Sequence, residues 1–434
     1  DDRRLLELAE RSYEVMRCKV DPEAWMADCL RAYALPEETP AEQTLWGAYY
    51  LKARRDALES ADAMLAQAEA LCRADASLEQ KCLPLLQKNR ETVHALMAET
   101  TWDGCVEAGL PSFGVMRMPK DAENAEQVKT LRDEAKQLLK TVQSYFYAPS
   151  ERVVDDLRRT LPALRGLLTL LRRFDERFTQ EKRRRHLLDF SDLEHCMIGL
   201  LTKKGSGRPT EAAKSLAQSY REILIDEYQD SNAVQERIFQ AVSRDGKNLF
   251  MVGDVKQSIY GFRLADPSIF LEKYRTFTDA EEAAEGAPRR IILGRNFRSR
   301  GAVLEACNYI FRAVMGETVG DLVYTDREAL HLGAGYYPQA GDKRYKTEVL
   351  LADTAGGDED TPEKTELEAR LVAQRVRRLL DEGFPVTDKQ TGGLRPVTAG
   401  DIVILLRSPK GKARTYIAAL ERVGVTATAE QRGG

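Results

Sequence analysis

From Asp1 to about Arg185 the apolar positions recur three and four residues apart, as in AEQTLWGAYYLKARRDALESADAMLAQAEALC (41–72), in a background rich in Ala, Leu, Glu, Lys and Arg. That spacing predicts long amphipathic helices. The stretch GLPSFGVMRMPKD, with Gly109, Pro111, Gly114 and Pro119, reads as a break that divides this half into at least two helical groups. Charged helices of this kind also suit a coiled-coil arm, although no sustained heptad demands one. At about Asp189 the texture changes. Short apolar runs in EILIDEYQD, KNLFMVGD and RRIILGRN each read as a buried strand followed by a polar turn, and they alternate with helical segments. This is the rhythm of a parallel α/β sheet, in which ligands bind just beyond the strand ends. After the helix containing GAVLEACNYIFRAVM, a second α/β region is predicted, with strands in EVLLAD, DIVILLR and VTATA and a helix in ELEARLVAQRVRRLL. Gly356 to Pro362 and Asp388 to Gly393 read as exposed loops, and this second region is expected to be incomplete.

Composition narrows the class. A chain of 434 residues, 43% hydrophobic and 31% charged, is expected to fold as two or three globular domains. No apolar run reaches the roughly 20 residues needed to span a bilayer, and DDRRLLELAE lacks the order of a secretion signal, so a soluble cytoplasmic protein is expected. The seven cysteines, Cys18, Cys29, Cys72, Cys82, Cys105, Cys196 and Cys307, are scattered and form no CxxC. With only four histidines beside them, neither a disulfide scaffold nor a structural metal is indicated. A net charge of -4 does not suggest a nucleic-acid protein, but a local channel of Lys and Arg can hold a phosphate backbone on an acidic chain. Arg158-Arg159, Arg172-Arg173 and Lys182 to Arg185 are such concentrations, and solvated helix surface is the plainer reading of any one of them.

The candidate chemistry sits after the strands. Asp226 and Glu227 follow Ile223, Leu224 and Ile225 directly. A carboxylate at a strand end suits magnesium, and its neighbour suits orienting an attacking water, so Asp226 is the candidate metal residue and Glu227 the candidate base. An acidic turn is the bland alternative. In LFMVGDVKQSIYGFRLADPSIF, Gly253 permits a tight backbone, Asp254 can bond neighbouring polar groups, and Gln257 offers an amide donor and acceptor to a terminal phosphate. Tyr260 and Phe262 follow within a few residues, with Arg263 beside them. Such rings stack on single-stranded bases without selecting sequence, and core packing is their alternative. In IILGRNFRSR, Arg298 suits an arginine finger and Phe297 an adenine-facing ring, whereas Arg295 and Arg300 read as surface arginines.

Taken together, DFSDLEHCMIGLL (189–201), ILIDEYQDSN (223–232), MVGDVKQSIYGFRLADPSIF (251–270) and LGRNFRSR (293–300) resemble the UvrD-like DNA helicases of superfamily one, most closely the A subunits of AddAB-type helicase–nucleases. The resemblance is strong over 189–300 and rests on order and texture elsewhere. It implies an α/β fold of partial RecA-like P-loop NTPase motor domains with a large all-helical accessory domain: 1–188 the accessory domain inserted in the first motor domain, 189–300 the later half of that motor, and 301–434 the start of the second. It implies ATP and Mg2+ as cofactors, with Asp226 at the metal, Glu227 activating water, Gln257 sensing phosphate, Arg298 reaching between domains and Phe297 standing where relatives stack a tyrosine on adenine. Tyr260 and Phe262 match ring positions of the single-strand track. Gly261 stands where the A subunits commonly have arginine, so the resemblance implies that one DNA or packing contact is lost.

The implied activity is ATP-dependent translocation on single-stranded DNA with 3'-5' unwinding of double-stranded ends and exonuclease action in break repair, beside an AddB-type partner and away from any membrane. The sequence also departs from the pattern. It holds no GxxxxGK[ST] loop to grip the β and γ phosphates, and GKAR at Gly411 is not one. The family's later motor motifs, nuclease carboxylates and four-cysteine cluster are missing too, so a fragment of a longer enzyme is expected. A non-catalytic scaffold that binds DNA or a partner is the competing class. A nucleotide kinase shares the magnesium carboxylate but gives no reason for Gln257 to adjoin two rings.

Overall fold

The predicted helical half is helical. A computed structural model describes residues 2–119, 122–258, 264–316, 322–337, 343–351, 364–388 and 390–429. Its first eight helices are α1 (Asp2–Arg17), α2 (Pro22–Tyr33), α3 (Leu45–Arg73), α4 (Ala76–Lys81), α5 (Leu83–Met97), α6 (Trp102–Ala108), α7 (Ala125–Gln143) and α8 (Ser150–Arg184). Side-chain caps start several of them: Asp21, Thr44, Asp75 and Thr101 each accept a backbone N–H of the first turn. The Gly/Pro-rich break does not divide them as expected. Phe113, in its middle, is buried in the core that α3, α5 and α7 share. The Phe113 carbonyl accepts from Asn89 of α5 at 3.2 Å and from Arg132 of α7, and Arg132 also reaches the Gly114 carbonyl at 2.9 Å. Two buried side chains thereby supply the hydrogen bonds that an irregular backbone lacks.

The basic clusters are largely spent on internal pairing. Arg158 donates to the Leu35 carbonyl, Arg159 pairs with Asp155, Arg172 with Glu23, and Arg184 and Arg185 with Glu181. Lys182 is only 7% exposed. Its Nζ lies 2.7 Å from Asp189 and 2.6 Å from Asp192, and 4.5 Å from the centre of the Phe178 ring. Asp189 and Asp192 form the capping box of α9 (Phe190–Leu201), and Asp192 also accepts from Arg17 of α1 at 3.1 Å. The DFSD motif is therefore the joint between the helical half and the α/β segment that begins with α9. Burial alone would raise the Asp189 carboxyl, but the Lys182 hydrogen bond, the Asp192 backbone N–H and the nearby positive charges outweigh it and hold it below the usual range.

After α9 come α10 (Glu211–Ser219), β1 (Ile223–Ile225), α11 (Ala233–Ala241), β2 (Leu249–Met251) and α12 (Ser268–Thr276). β1 and β2 pair in parallel with Ile223 opposite Leu249 and Ile225 opposite Met251. Ile223, with Met197, Leu216 and Ile238, packs against the buried Leu201, Ala213, Ala241 and Val242, which half-buries one face of the pair under α9, α10 and α11. On the other face Leu224 is 71% and Phe250 52% exposed. β3 (Thr278–Asp279) and β4 (Arg289–Arg290) form a second parallel pair. The strand expected through RRIILGRN is interrupted there: Ile291 to Leu293 pair with no described strand and are exposed.

The described residues divide into two compact units, Asp1–Ile291 with Gly316–Leu322, and Ile292–Met315 with Val323–Gly434. The second contains β5 (Arg295–Asn296), α13 (Gly301–Val314), β6 (His331–Leu332), α14 (Lys364–Asp381), β7 (Pro385–Thr387), β8 (Leu394–Pro396) and α15 (Ala413–Arg422). β5 and β6 pair in parallel, while β7 and β8 form an antiparallel hairpin around the loop expected at Asp388 to Gly393. The strands expected in EVLLAD, DIVILLR and VTATA do not form among the described residues. In DIVILLR, Ile402, Ile404 and Leu406 nevertheless turn toward the α14–α15 core while Val403 and Leu405 face out. The alternation is that of a strand, and what is missing is a hydrogen-bonding neighbour. No described helix is long and apolar enough to cross a membrane.

Replacing Lys182 with Met should lower the unfolding free energy at pH 7 by about 3 kcal/mol, the low end for a broken buried pair because Asp189 is half exposed and Arg17 still holds Asp192. Because the Asp189 carboxyl is depressed in the fold, its contribution is present above the unfolded carboxylate value of about 3.9 and is lost as pH falls through the folded one. Urea unfolding of both proteins should therefore show the gap narrowing in acid; an equal gap at both pH values would refute the pairing.

Candidate functional site

Asp226 and Glu227 leave the C-terminal end of β1, and Asp254 and Gln257 leave the same end of β2. The strand register continues into these turns, since the Val252 N–H donates to the Ile225 carbonyl at 2.8 Å and the Tyr228 N–H to the Val252 carbonyl at 2.9 Å. Tyr228 enters the core beside Phe239 and Phe270. Its hydroxyl donates to Glu236, which Lys273 also reaches at 2.7 Å and Gln240 at 3.1 Å. Burial and the Glu236 hydrogen bond together push the phenol far above its ordinary value, so Tyr228 stays neutral and serves as an anchor.

With Tyr228 fixed inward, Glu227 takes a left-handed backbone conformation (φ 49°, ψ 42°) and its side chain remains exposed. The Glu227 N–H donates to Asp226 Oδ1 at 2.9 Å. Asp226 Oδ2 has no partner among the described residues, so a hard oxygen donor is left for a cation at the strand end. Asp230 carries a carboxyl raised by burial and by the charge of Glu227. In the second loop, Asp254 caps the short 3-10 helix Val255–Gln257 through the Lys256 N–H, pairs with Lys256 Nζ at 2.9 Å and accepts from Gln257 Nε2 at 2.9 Å. Gln257 is exposed, with its amide oriented by Asp254. Tyr260, Phe262 and Arg263 lie outside the described residues.

Phe297 and Arg298 belong to the second unit. Asn296 Oδ1 accepts the backbone N–H groups of Arg298 and Ser299 at 2.9 and 2.8 Å, forming the turn that presents both side chains. Phe297 is 62% exposed, and Gly333 makes room for it: a Cβ there would stand 2.8 Å from the ring. The Arg298 guanidinium is exposed and has no partner among the described residues. Arg300 corrects the surface reading. It is half-buried, stacked 3.8 Å above Tyr345 and 4.6 Å from Tyr337, and donates to Thr387 at 2.7 Å, so it braces the turn.

Sequence reading overlooked Gln229. It is 1% exposed, and its side chain joins the two loops of the first unit: Nε2 donates to Glu227 Oε2 at 2.8 Å, and Oε1 accepts the Asp254 N–H at 3.0 Å. The only signal for it was a polar residue inside a motif whose neighbours already had roles. Among the described residues no cluster of His, Cys, Asp and Glu is arranged to hold a metal by itself.

The model of the UvrD/REP helicase N-terminal domain matches residues 52–278. The A subunit of the ATP-dependent helicase/nuclease of Acetivibrio thermocellus is 33% identical over all of this chain and 38% of its own length. The protein of that name from Geobacillus thermodenitrificans is 36% identical over all of this chain and 36% of its own, and that from Bacillus licheniformis 34% identical over 93% and 34%. The chain thus spans little more than a third of the length of these relatives.

The anchor role of Tyr228 can be measured. Tyr228→Phe keeps the ring and deletes one hydrogen bond to a charged group, and should cost about 2 kcal/mol in chemical unfolding. An unchanged midpoint would show that the bond to Glu236 contributes nothing.

Proposed function

The chain belongs to the UvrD/REP helicase family, and on that premise we propose that it contributes the hydrolytic and phosphate-sensing part of an ATP-driven motor that moves along single-stranded DNA. The observation that carries the reading is that Asp226, Glu227 and Gln257 sit in two loops leaving neighbouring parallel strands at the same end. Asp226 would hold magnesium, which neutralises charge on the phosphates when bound with ATP. Glu227, exposed at the strand end, accepts a hydrogen bond from the attacking water and orients it. Gln257, already turned by Asp254, offers its amide to the terminal phosphate or that water. Arg298 stabilises charge on the transferred phosphoryl group, and Phe297 lies against the adenine.

Tyr260, Phe262 and Arg263 form the base-contacting track, with the rings stacking and the guanidinium meeting the backbone. The full-length enzyme would unwind double-stranded ends in the 3'-5' direction and degrade strands during break repair. The relatives are named as the A subunit of a helicase/nuclease, which supports both the nuclease and an AddB-type protein as the partner. The 434 residues themselves contain no GxxxxGK[ST] loop, which favours a scaffold role for the chain in isolation.

The isolated chain should accordingly turn over negligible ATP, whereas the polypeptide expressed from its whole reading frame should show ATPase activity stimulated by single-stranded DNA. In the latter, Glu227→Gln should lower kcat at least about 100-fold. Robust turnover by the isolated chain, or an indifferent Glu227→Gln enzyme, would overturn the assignment. For the track, changing Tyr260 and Phe262 together to Ala should weaken binding of a fluorescent oligonucleotide at least about tenfold; unchanged affinity in a folded variant would favour core packing.

A further inference from the structure

The buried amide of Gln229 connects the two loops that carry the proposed chemistry. Its orientation is not arbitrary. The Asp254 N–H can only donate, so the Gln229 side chain must turn Oε1 toward it, at 3.0 Å, and this leaves Nε2 to donate to Glu227 Oε2 at 2.8 Å. An ionised glutamate in this place could accept from Asp254 but would set a like charge against Glu227, and an aliphatic side chain could make neither hydrogen bond. Burial raises the stakes, because a polar group sealed from water keeps its partners or costs stability.

The approach of the second loop is equally constrained. A Cβ on Gly253 would stand 2.5 Å from Gln229 Oε1 and 3.2 Å from the Gln229 nitrogen and the Phe270 ring. Glycine is thus what lets the β2 turn come close enough for the Asp254 N–H to reach the amide. From Asp254 the chain of contacts continues to Gln257, whose Nε2 donates to Asp254 Oδ2 at 2.9 Å. One unbroken path therefore runs from the Glu227 carboxylate through the Gln229 amide, the Asp254 main chain and the Asp254 carboxylate to Gln257.

We propose that Gln229 is a positioning residue that holds the exposed Glu227 carboxylate in its working orientation and ties that orientation to the phosphate-sensing loop. The proposal rests on the ATP-hydrolysing reading above. Gln229 touches no reacting atom. It removes the rotational freedom of Glu227, and a displacement of Asp254 is delivered to that carboxylate through a single rigid amide.

The test uses the full-length polypeptide with saturating single-stranded DNA. Gln229→Leu and Gly253→Ala, the second acting by pushing Oε1 away, should each lower kcat by roughly 10- to 100-fold while KM for ATP stays within about threefold, because orientation and not binding is lost. Placed on Glu227→Gln, Gln229→Leu should cost little further in single-turnover rate, since the group it positions is already gone. If Gln229→Leu does not fold, Gln229→Met decides, because it keeps the length and fill of the side chain and loses both hydrogen bonds. A folded variant with wild-type kcat, or one in which KM and kcat deteriorate together in both backgrounds, overturns the proposal. A wild-type protein with no DNA-stimulated ATPase would instead defeat the functional reading. In that event amide hydrogen exchange at Asp254 in the 434-residue chain, expected to be faster in Gln229→Leu, still tests the strut by itself.

Discussion

The candidate site depends on the parallel register of β1 and β2 persisting past the strand ends, through the Val252 N–H to the Ile225 carbonyl and the Tyr228 N–H to the Val252 carbonyl. Those two bonds bring the acidic turn beside the glycine turn. A slip of β1 by one residue would exchange its two faces, move Ile223 out of the apolar cluster under α9, α10 and α11, and separate Gly253 from Gln229. Stability and chemistry are thereby set by one registration. The apolar residues that determine it, Ile223 and Tyr228, are not those that face a ligand.

A second pattern recurs in the first unit: a buried cation or amide donates to main-chain carbonyls at a helix end or a break. Arg132 and Asn89 do so for the carbonyls at Phe113 and Gly114, and Arg54 does so for the Leu96 carbonyl at 3.0 Å. Lys182 answers side-chain charge in the same manner, joining the two carboxylates that cap α9. Arg159, Arg172, Arg184 and Arg185 stay exposed but are each ion-paired, so counting Lys and Arg along the chain overstates the charge that is unpaired.

What could be read from the chain depends on the range of the interactions concerned. The helices were legible because their spacing is local, and α13 and α14 fall where the periodicity predicts them. β1 and β2 were legible as apolar triplets followed by polar turns, and with them the neighbourhood of Asp226, Glu227 and Gln257. The later strands were not, because Ile402, Ile404 and Leu406 carry the alternation of a strand while pairing is a property of a second segment. The hairpin at Pro385–Thr387 and Leu394–Pro396 was missed for the complementary reason, its strands being too short to show a period. Arg300 and Gln229 were misread or overlooked because their partners, Tyr345 and Thr387 in one case and Asp254 in the other, are remote in sequence. The ring pair Tyr260 and Phe262 lies outside the described residues, so its role stands on the motif alone.

The joint at Lys182 has a mechanical consequence. α8 is 35 residues long and is gripped near its C-terminal end by Asp189 and Asp192 of the next segment. At 1.5 Å per residue such a helix extends roughly 50 Å, and its far end is tied in turn, where Ser150 Oγ accepts the Ala41 N–H at 2.7 Å and Val154 is buried beside Trp102. A small charged cluster at one end and a buried hydroxyl at the other thus fix the two ends of the longest described helix. α8 is in this sense a beam tied at both ends, one of them the DFSD motif.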